Sequence, residues 1–209
     1  MIGQLILQQC LKHEDVQKVT TITRRQSGFA HPKLVEIVHN DFMDYAVIAD
    51  SLKNQDLCFF CIGVYTGQVS REVFRKITVD YTRAFAQELA AHSPDVTFCF
   101  LSGQGADQSE KSLIMFAKDK GIAENFLLSR RFNRTYIFRP AYIYPVTPRK
   151  EPNFSYRLMR ILYPLVVILY PAVVVTSEVL ANAMFDIGMN GGSKTIYENK
   201  DIRQHKTLV

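Results

Sequence analysis

Apolar residues recur along this chain in two periods, one near three and a half and one of two. At the start, Ile2, Leu5, Ile6 and Cys10 fall on one stripe, which predicts a helix over residues 2–12. The pattern then shortens. Val16 to Thr23 is β-branched and predicts a strand that ends at Arg24 and Arg25. Gly28 and Pro32 mark a loop, and Leu34 to His39 reads as a second strand stopped by Asn40 and Asp41. Tyr45 to Leu52 reads as a short helix, and Asp56 to Val64 as a third, apolar strand. Phe74, Ile77, Tyr81, Phe85 and Leu89 then recur every three or four residues, so Ser70 to His92 reads as one long helix. Val96 to Leu101 is a fourth strand, Glu110 to Leu128 a helix, and Thr135 to Arg139 a fifth strand. Strands alternating with helices at this spacing predict βαβ units and a parallel sheet covered on both faces. The chain carries neither internal repeats nor a low-complexity segment.

The totals narrow the reading without naming a chemistry. A chain of 209 residues fits one domain with a real core, and 47% hydrophobic with 22% charged residues is ordinary for a globular protein. A net charge of +5 permits anionic partners, but no run of Lys or Arg points to nucleic acid. Cys58 and Cys61 stand three residues apart inside an apolar strand, so they face opposite sides of it. That spacing predicts buried, reduced thiols rather than a disulfide or a shared metal, and with them a cytoplasmic protein. The histidines show no metal-ligand spacing. Met1 leads into an amphipathic pattern, not into a basic segment followed by an apolar one, so no signal peptide is expected. The longest apolar run, Ile161 to Val175, is short for a membrane span and holds Pro164 and Pro171. It reads as a substrate-side helix or a partner surface.

Candidate chemistry gathers between Leu101 and Gly121. Ser102 directly follows the fourth strand, in the loop Ser102-Gly103-Gln104-Gly105-Ala106-Asp107, and Lys120 lies on the helix beyond. Phe116 precedes Lys120 by four residues, which puts both side chains on one helix face. This arrangement resembles the active-site segment of the extended and atypical short-chain dehydrogenase/reductase superfamily, of the NAD-dependent epimerase/dehydratase type. The Gly105-Ala106-Asp107 element and the run from Asp119 to Asn125 resemble its Tat-interacting-protein-like branch. The resemblance covers most of residues 1–145 and implies a Rossmann-like, doubly wound α/β core there. Residues 146–209 would then form a small substrate-side portion of the same domain. It also implies catalytic roles for Ser102 and Lys120. In the family, a Tyr stands four residues before the Lys. The Lys holds the cofactor ribose, the Ser polarises a carbonyl, and the Tyr moves the proton as hydride transfers. Phe116 occupies that Tyr position and has no proton to give. General acid–base help of this kind is worth roughly a hundred- to ten-thousand-fold.

The same resemblance assigns a cofactor region. Family members open with a strand and a glycine-rich turn; Met1-Ile2-Gly3 resembles the tail of that turn, with Gly3 its last glycine. The first strand and the rest of the turn are therefore expected to be missing from this chain, which implies a late start and a weakened grip on the pyrophosphate. Arg24 and Arg25 stand where an NAD enzyme carries an acid for the ribose 2′-hydroxyl, which suits NADP, with NAD as the other candidate. A solvated basic turn is the plainer reading. Asp41 and Phe42 correspond to adenine contacts, although Asp41 also suits a helix N-cap. Cys61, Ile62 and Gly63 resemble the small-residue turn that lets the cofactor approach backbone. Pro140 and Ile143 belong to a segment, Arg139 to Pro145, that lines the nicotinamide in relatives. Tyr65 is a candidate stand-in for the lost phenol, and Tyr156, Arg157 and Arg160 are candidate ligand contacts. A homodimer through helices 70–92 and 109–130 follows by the same resemblance. Two functions stay open: a weak NAD(P)-dependent oxidoreductase, or a non-enzymatic module that senses a nucleotide or engages a partner protein.

Overall fold

Side chains from successive strands enter two separate cores, and that alternation sets the architecture. The computed structural model describes residues 1–130, 132–146 and 173–205. The chain begins with helix α1 (Ile2–Lys12), followed by strands β1 (Val19–Thr23) and β2 (Leu34–Val38) and a 3-10 helix at Ala46–Leu52. Strand β3 (Leu57–Phe60) leads to helix α2 (Arg71–Arg75), a π-helical stretch at Lys76–Asp80 and helix α3 (Tyr81–His92). Then come β4 (Thr97–Leu101), α4 (Met115–Leu128), β5 (Arg134–Arg139) and β6 (Tyr142–Tyr144). The described C-terminal part holds β7 (Val174–Thr176), α5 (Ser177–Asn190), β8 (Ile196–Glu198) and α6 (Asn199–Gln204).

Among the described residues all strand pairs are parallel: β1 with β2, β6 with β7, and β3, β4, β5 and β8 in that order in one sheet. On one face Cys99, Tyr136 and Phe138 pack with Ile2 and Ile6 of α1 and with Leu180, Met184 and Ile187 of α5. On the other, Phe60, Phe98, Phe100 and Ile137 pack with Phe85 and Leu89 of α3 and with Ala123 and Leu127 of α4. Neighbouring residues of one strand thus serve opposite cores, as a period of two requires. The result is an α/β, Rossmann-like layering with parallel strands between two layers of helices. β1 sends Val19 to the first core and Ile22 to the second, although no described strand pairs with both β1 and β3.

Several boundaries differ from the sequence reading for physical reasons. The helix expected from Glu110 begins at Met115. The Asp107 carboxylate accepts from the backbone amides of Ser109, Lys111 and Ser112 and draws that segment into a loop. Glu110 there adopts a positive φ of 60°, and Leu113 is left fully exposed. The single helix expected over 70–92 is interrupted by the π-helical stretch, a wider turn that shifts the register of the face presented to α4. The third strand stops at Phe60 rather than Val64. Beyond residue 145 the chain returns to the sheet, because β8 pairs with β5. Tyr156, Arg157, Arg160 and residues 161–172 of the apolar run lie outside the described residues. Val174 and Val175, at the end of that run, are buried in β7. Among the described residues no helix is long and apolar enough to cross a membrane.

Candidate functional site

The loops at the carboxyl ends of β3, β4 and β5 share one edge of the main sheet, the edge at which ligands bind in open α/β sheets. Ser102 leaves β4 with its amide bonded to the Phe138 carbonyl at 2.8 Å, so the strand pairing itself fixes its position. Its hydroxyl donates to Glu124 Oε1 at 2.5 Å. Glu124 is fully buried. Besides Ser102 it accepts from Gln108 Nε2 at 2.9 Å and from Arg139, Nε to Oε1 at 2.9 Å and the terminal nitrogen to Oε2 at 2.5 Å. The Arg139 guanidinium donates once more, to Glu198 of β8 at 2.9 Å. Its two carboxylate partners raise its pKa further. A planar guanidinium matches a carboxylate with two parallel bonds, the strongest neutralisation available to a buried acid.

Lys120 lies one helical turn before Glu124 and is also buried. Its ammonium donates to the Leu101 carbonyl at 3.0 Å and sits 4.9 Å from the centre of the Phe100 ring. Loss of hydration pushes its pKa down to about 8, against a pull from Glu124 and Cys61 that favours the charge. An ammonium has three donors, and the Leu101 bond uses one of them. One turn earlier, the Phe116 ring lies over Gly103, so close that a Cβ there would come within 2.5 Å of its tip. Phe74 packs beside it with ring centroids 6.3 Å apart. The Ser102 loop is held against α4 at Gly121, where a Cβ would fall 1.8 Å from the Asp107 carbonyl oxygen. Only glycine fits that contact. Arg75 of α2 closes the flank through Asp119 at 2.8 Å.

The remaining sequence-derived candidates divide. Gly3, near the start of α1, approaches Cys61: a Cβ on this glycine would lie 3.5 Å from the cysteine Cβ. Cys61 and Ile62 are half-buried beyond β3, and Gly63 is exposed with open space about it. Pro140 is buried after β5, and its carbonyl accepts from the Gln104 amide at 2.8 Å, tying the two loops together. Arg24 and Arg25 are exposed after β1. Phe42 is instead a core residue, 6% exposed and stacked on Tyr81. Asp41 caps a local turn by accepting from the Met43 amide at 2.9 Å, and does not cap the 3-10 helix. Ile143 lies in β6 and packs against the first core. Tyr65 is half-buried in the loop after β3. Cys10, Cys58, Cys61 and Cys99 are all free thiols.

Sequence reasoning passed over Glu124 and Glu198. The available signal for Glu124 was its four-residue offset from Lys120 on a helix whose neighbours Ala123 and Leu127 face the core. No comparable signal marks Glu198, which meets Arg139 across 59 residues of sequence.

No family model matches the chain. Among curated proteins, it is 28% identical over 145 residues to "Protein FMP52, mitochondrial" of Candida albicans, a match covering 67% of this chain and 62% of that relative. The chain thus spans less than two thirds of the length of the curated relatives it matches. Among solved structures, it superposes on the Bordetella bronchiseptica enzyme WbmH in complex with NAD+ with a TM-score of 0.68 at 15% identity. That superposition covers 94% of this chain and 71% of the enzyme. It superposes equally on a double mutant of DesIV, a dTDP-glucose 4,6-dehydratase of Streptomyces venezuelae with NAD bound, with a TM-score of 0.68 at 14% identity. There too the match covers 94% of this chain and 71% of the other. At this identity the likeness shows the fold alone, the α/β Rossmann-like layering of parallel strands and helices that the chain shares with these enzymes. The cytoplasmic location expected from the reduced cysteines is overturned by the relatives, which carry a mitochondrial designation. Free thiols fit any reducing compartment and so do not single out the cytoplasm.

Proposed function

We propose that this chain is a nicotinamide-dinucleotide-binding protein of the short-chain dehydrogenase/epimerase kind, with NADP preferred over NAD. The observation that carries the proposal is the buried Lys120 ammonium beside Ser102 at the carboxyl end of β4, in a fold whose solved neighbours hold NAD. The residues present fit such a group. Lys120 has donors left for a ribose, and Gly63 leaves open space beside backbone at the end of β3. Arg24 and Arg25 are exposed cations at the end of β1, suited to a 2′-phosphate. When bound, the dinucleotide would supply the hydride; the protein supplies position and charge. Gly3, Cys61, Ile62 and Pro140 belong to the same reading as the walls of that site. Asp41 and Phe42 enter it through the turn and the aromatic packing they build, and Ile143 through the strand after Pro140. The mitochondrial designation of the relatives supports a mitochondrial setting.

Phe116 limits the chemistry. It packs against Gly103 and Phe74 where a proton carrier is needed, so oxidoreductase turnover is weak in this reading. The same residue favours a second reading, in which the nucleotide is a regulatory ligand and the chain does no redox chemistry. Phe116→Tyr separates the two. If the site is otherwise intact, the variant gains NADPH-dependent reductase turnover on a panel of aldehydes and ketones, by roughly a hundredfold or more. Bound NADPH without any gain supports the sensing module. Absence of NADPH binding in both proteins rejects the proposal.

A further inference from the structure

Two guanidiniums from different elements converge on one ring. Phe126 of α4 is anchored by the second core. Arg83 of α3 holds its Cζ 5.4 Å from the centre of that ring, and Arg130, just past the end of α4, holds its own at 4.4 Å. Like charges gathered on one ring repel, and a carboxylate between them would relieve the repulsion. Among the described residues none lies within ion-pair distance of either arginine. The carboxylates within the two helices are all committed elsewhere: Glu88 to His92, Asp119 to Arg75 and Glu124 to Arg139. Arg130 carries a second sign. Its Nε–H is buried and finds no acceptor among the described residues. Buried donors are nearly always satisfied, so an orphaned one marks the place of a missing acceptor. The helix dipole favours a cation past the end of α4, but that accounts for the charge and not for the unsatisfied N–H.

We propose that Arg83 and Arg130, seated on Phe126, form a binding site for a phosphate group, separate from the dinucleotide region. Arg130 lies between the end of α4 and the start of β5, at the amino edge of the main sheet, whereas Ser102 and Lys120 stand at the carboxyl edge. The group can arrive from solvent, since Arg83 is exposed and Arg130 is half-buried. Two guanidiniums favour phosphate over carboxylate. One planar fork already occupies both oxygens of a carboxylate, while a phosphate offers three acceptor oxygens and can serve two forks. The ring beneath them holds both forks by cation–π contact, so less side-chain freedom is lost when the anion binds. The acceptor so supplied would also satisfy the orphaned Arg130 Nε–H.

The test is a titration of the whole chain with inorganic phosphate at constant ionic strength, followed by NMR of the arginine Nε–H groups. Saturable shifts of the Arg83 and Arg130 signals are expected, with acetate about tenfold weaker or more. Arg83→Gln and Arg130→Gln should each weaken phosphate by about tenfold, the loss of one charge-assisted fork. Arg130→Lys keeps the charge without the fork and should fall between wild type and Arg130→Gln. No shift at either arginine, or an equal response to phosphate and acetate, overturns the inference. Phosphate binding by Arg130→Lys at wild-type strength overturns it too, because charge alone would then suffice. Glycerol phosphate and AMP, titrated in the same way, identify the source. Equal binding of the two supports a bare phosphoryl group, and tighter binding of AMP supports a nucleotide. The fluorescence of NADPH reports on the dinucleotide reading separately. Its response should be the same in Arg83→Gln as in wild type, and loss of NADPH and phosphate binding together would overturn a separate site.

Discussion

Truncating Glu124 to Ala should be the most damaging single change in the described site. The substitution removes the acceptor of four hydrogen bonds at once: from Ser102, from Gln108 and two from Arg139. It leaves the Arg139 side chain, 13% exposed, with Glu198 as its remaining partner among the described residues. Removing one member of a buried ion pair costs about 3–5 kcal/mol, mostly from the charge left behind. For a chain of this length, each kcal/mol lowers the melting temperature by about 2–4 °C, so a fall of about 6–20 °C is expected. Glu198→Ala is the internal control. The Glu198 side chain is 46% exposed, and loss of so solvated a partner should cost about 1 kcal/mol or less. Replacing both Glu124 and Arg139 by Met removes the stranded charge and should recover most of the loss. Thermal unfolding followed by circular dichroism reads all four proteins. If Glu124→Ala melts alongside Glu198→Ala, or the double variant is no better than the single one, Glu124 is not the buried, Arg-neutralised carboxylate described above.

Two other substitutions probe the frame of the site. Gly121→Ala puts a methyl 1.8 Å from the Asp107 carbonyl oxygen, a backbone atom that cannot rotate away. It should destabilise the chain by about 1–3 kcal/mol or more, and proteolysis should cut the 103–112 loop faster than in wild type. Lys120 links stability to pH. Its folded-state pKa, about 8, lies below the ordinary value of 10.5, so the unfolded chain binds the proton more tightly. The burial penalty is full below pH 8 and is relieved as pH rises from about 8 to 10.5. Wild type should therefore gain stability relative to Lys120→Met in acid-to-alkaline titrations only through that window, read as a difference in urea midpoints. A constant difference across the window would contradict the desolvated ammonium.

Much of this fold could be read from the chain because its central strands are apolar on both faces. Val96 to Leu101 and Thr135 to Arg139 carry side chains for two cores, and few other structures accommodate such runs. The start of α4 could not be read. Leu113 and Ile114 continue the apolar periodicity, yet they stand 100% and 68% exposed, because the Asp107 carboxylate has captured the amides ahead of them. The C-terminal return escaped notice because β7 and β8 are three residues each, too short for any period to show. Ser102 and Lys120 drew attention through their spacing and their family resemblance, and both are buried at the carboxyl end of β4. Glu124 drew none, since a carboxylate on a helix reads as solvated until its long-range partner is known. Phe42 holds a packing role that its place after β2 did not announce, since it stacks on Tyr81.

The most direct test of the central claim is a titration of the purified chain with NADPH, followed by the fluorescence of the cofactor itself, beside the same titration of Lys120→Met. The site around Lys120 predicts saturable binding by wild type, weaker binding of NADH, and at least a tenfold loss in the variant as its ribose donor disappears. Saturation by neither NADPH nor NADH, or equal binding with and without the Lys120 ammonium, would contradict it.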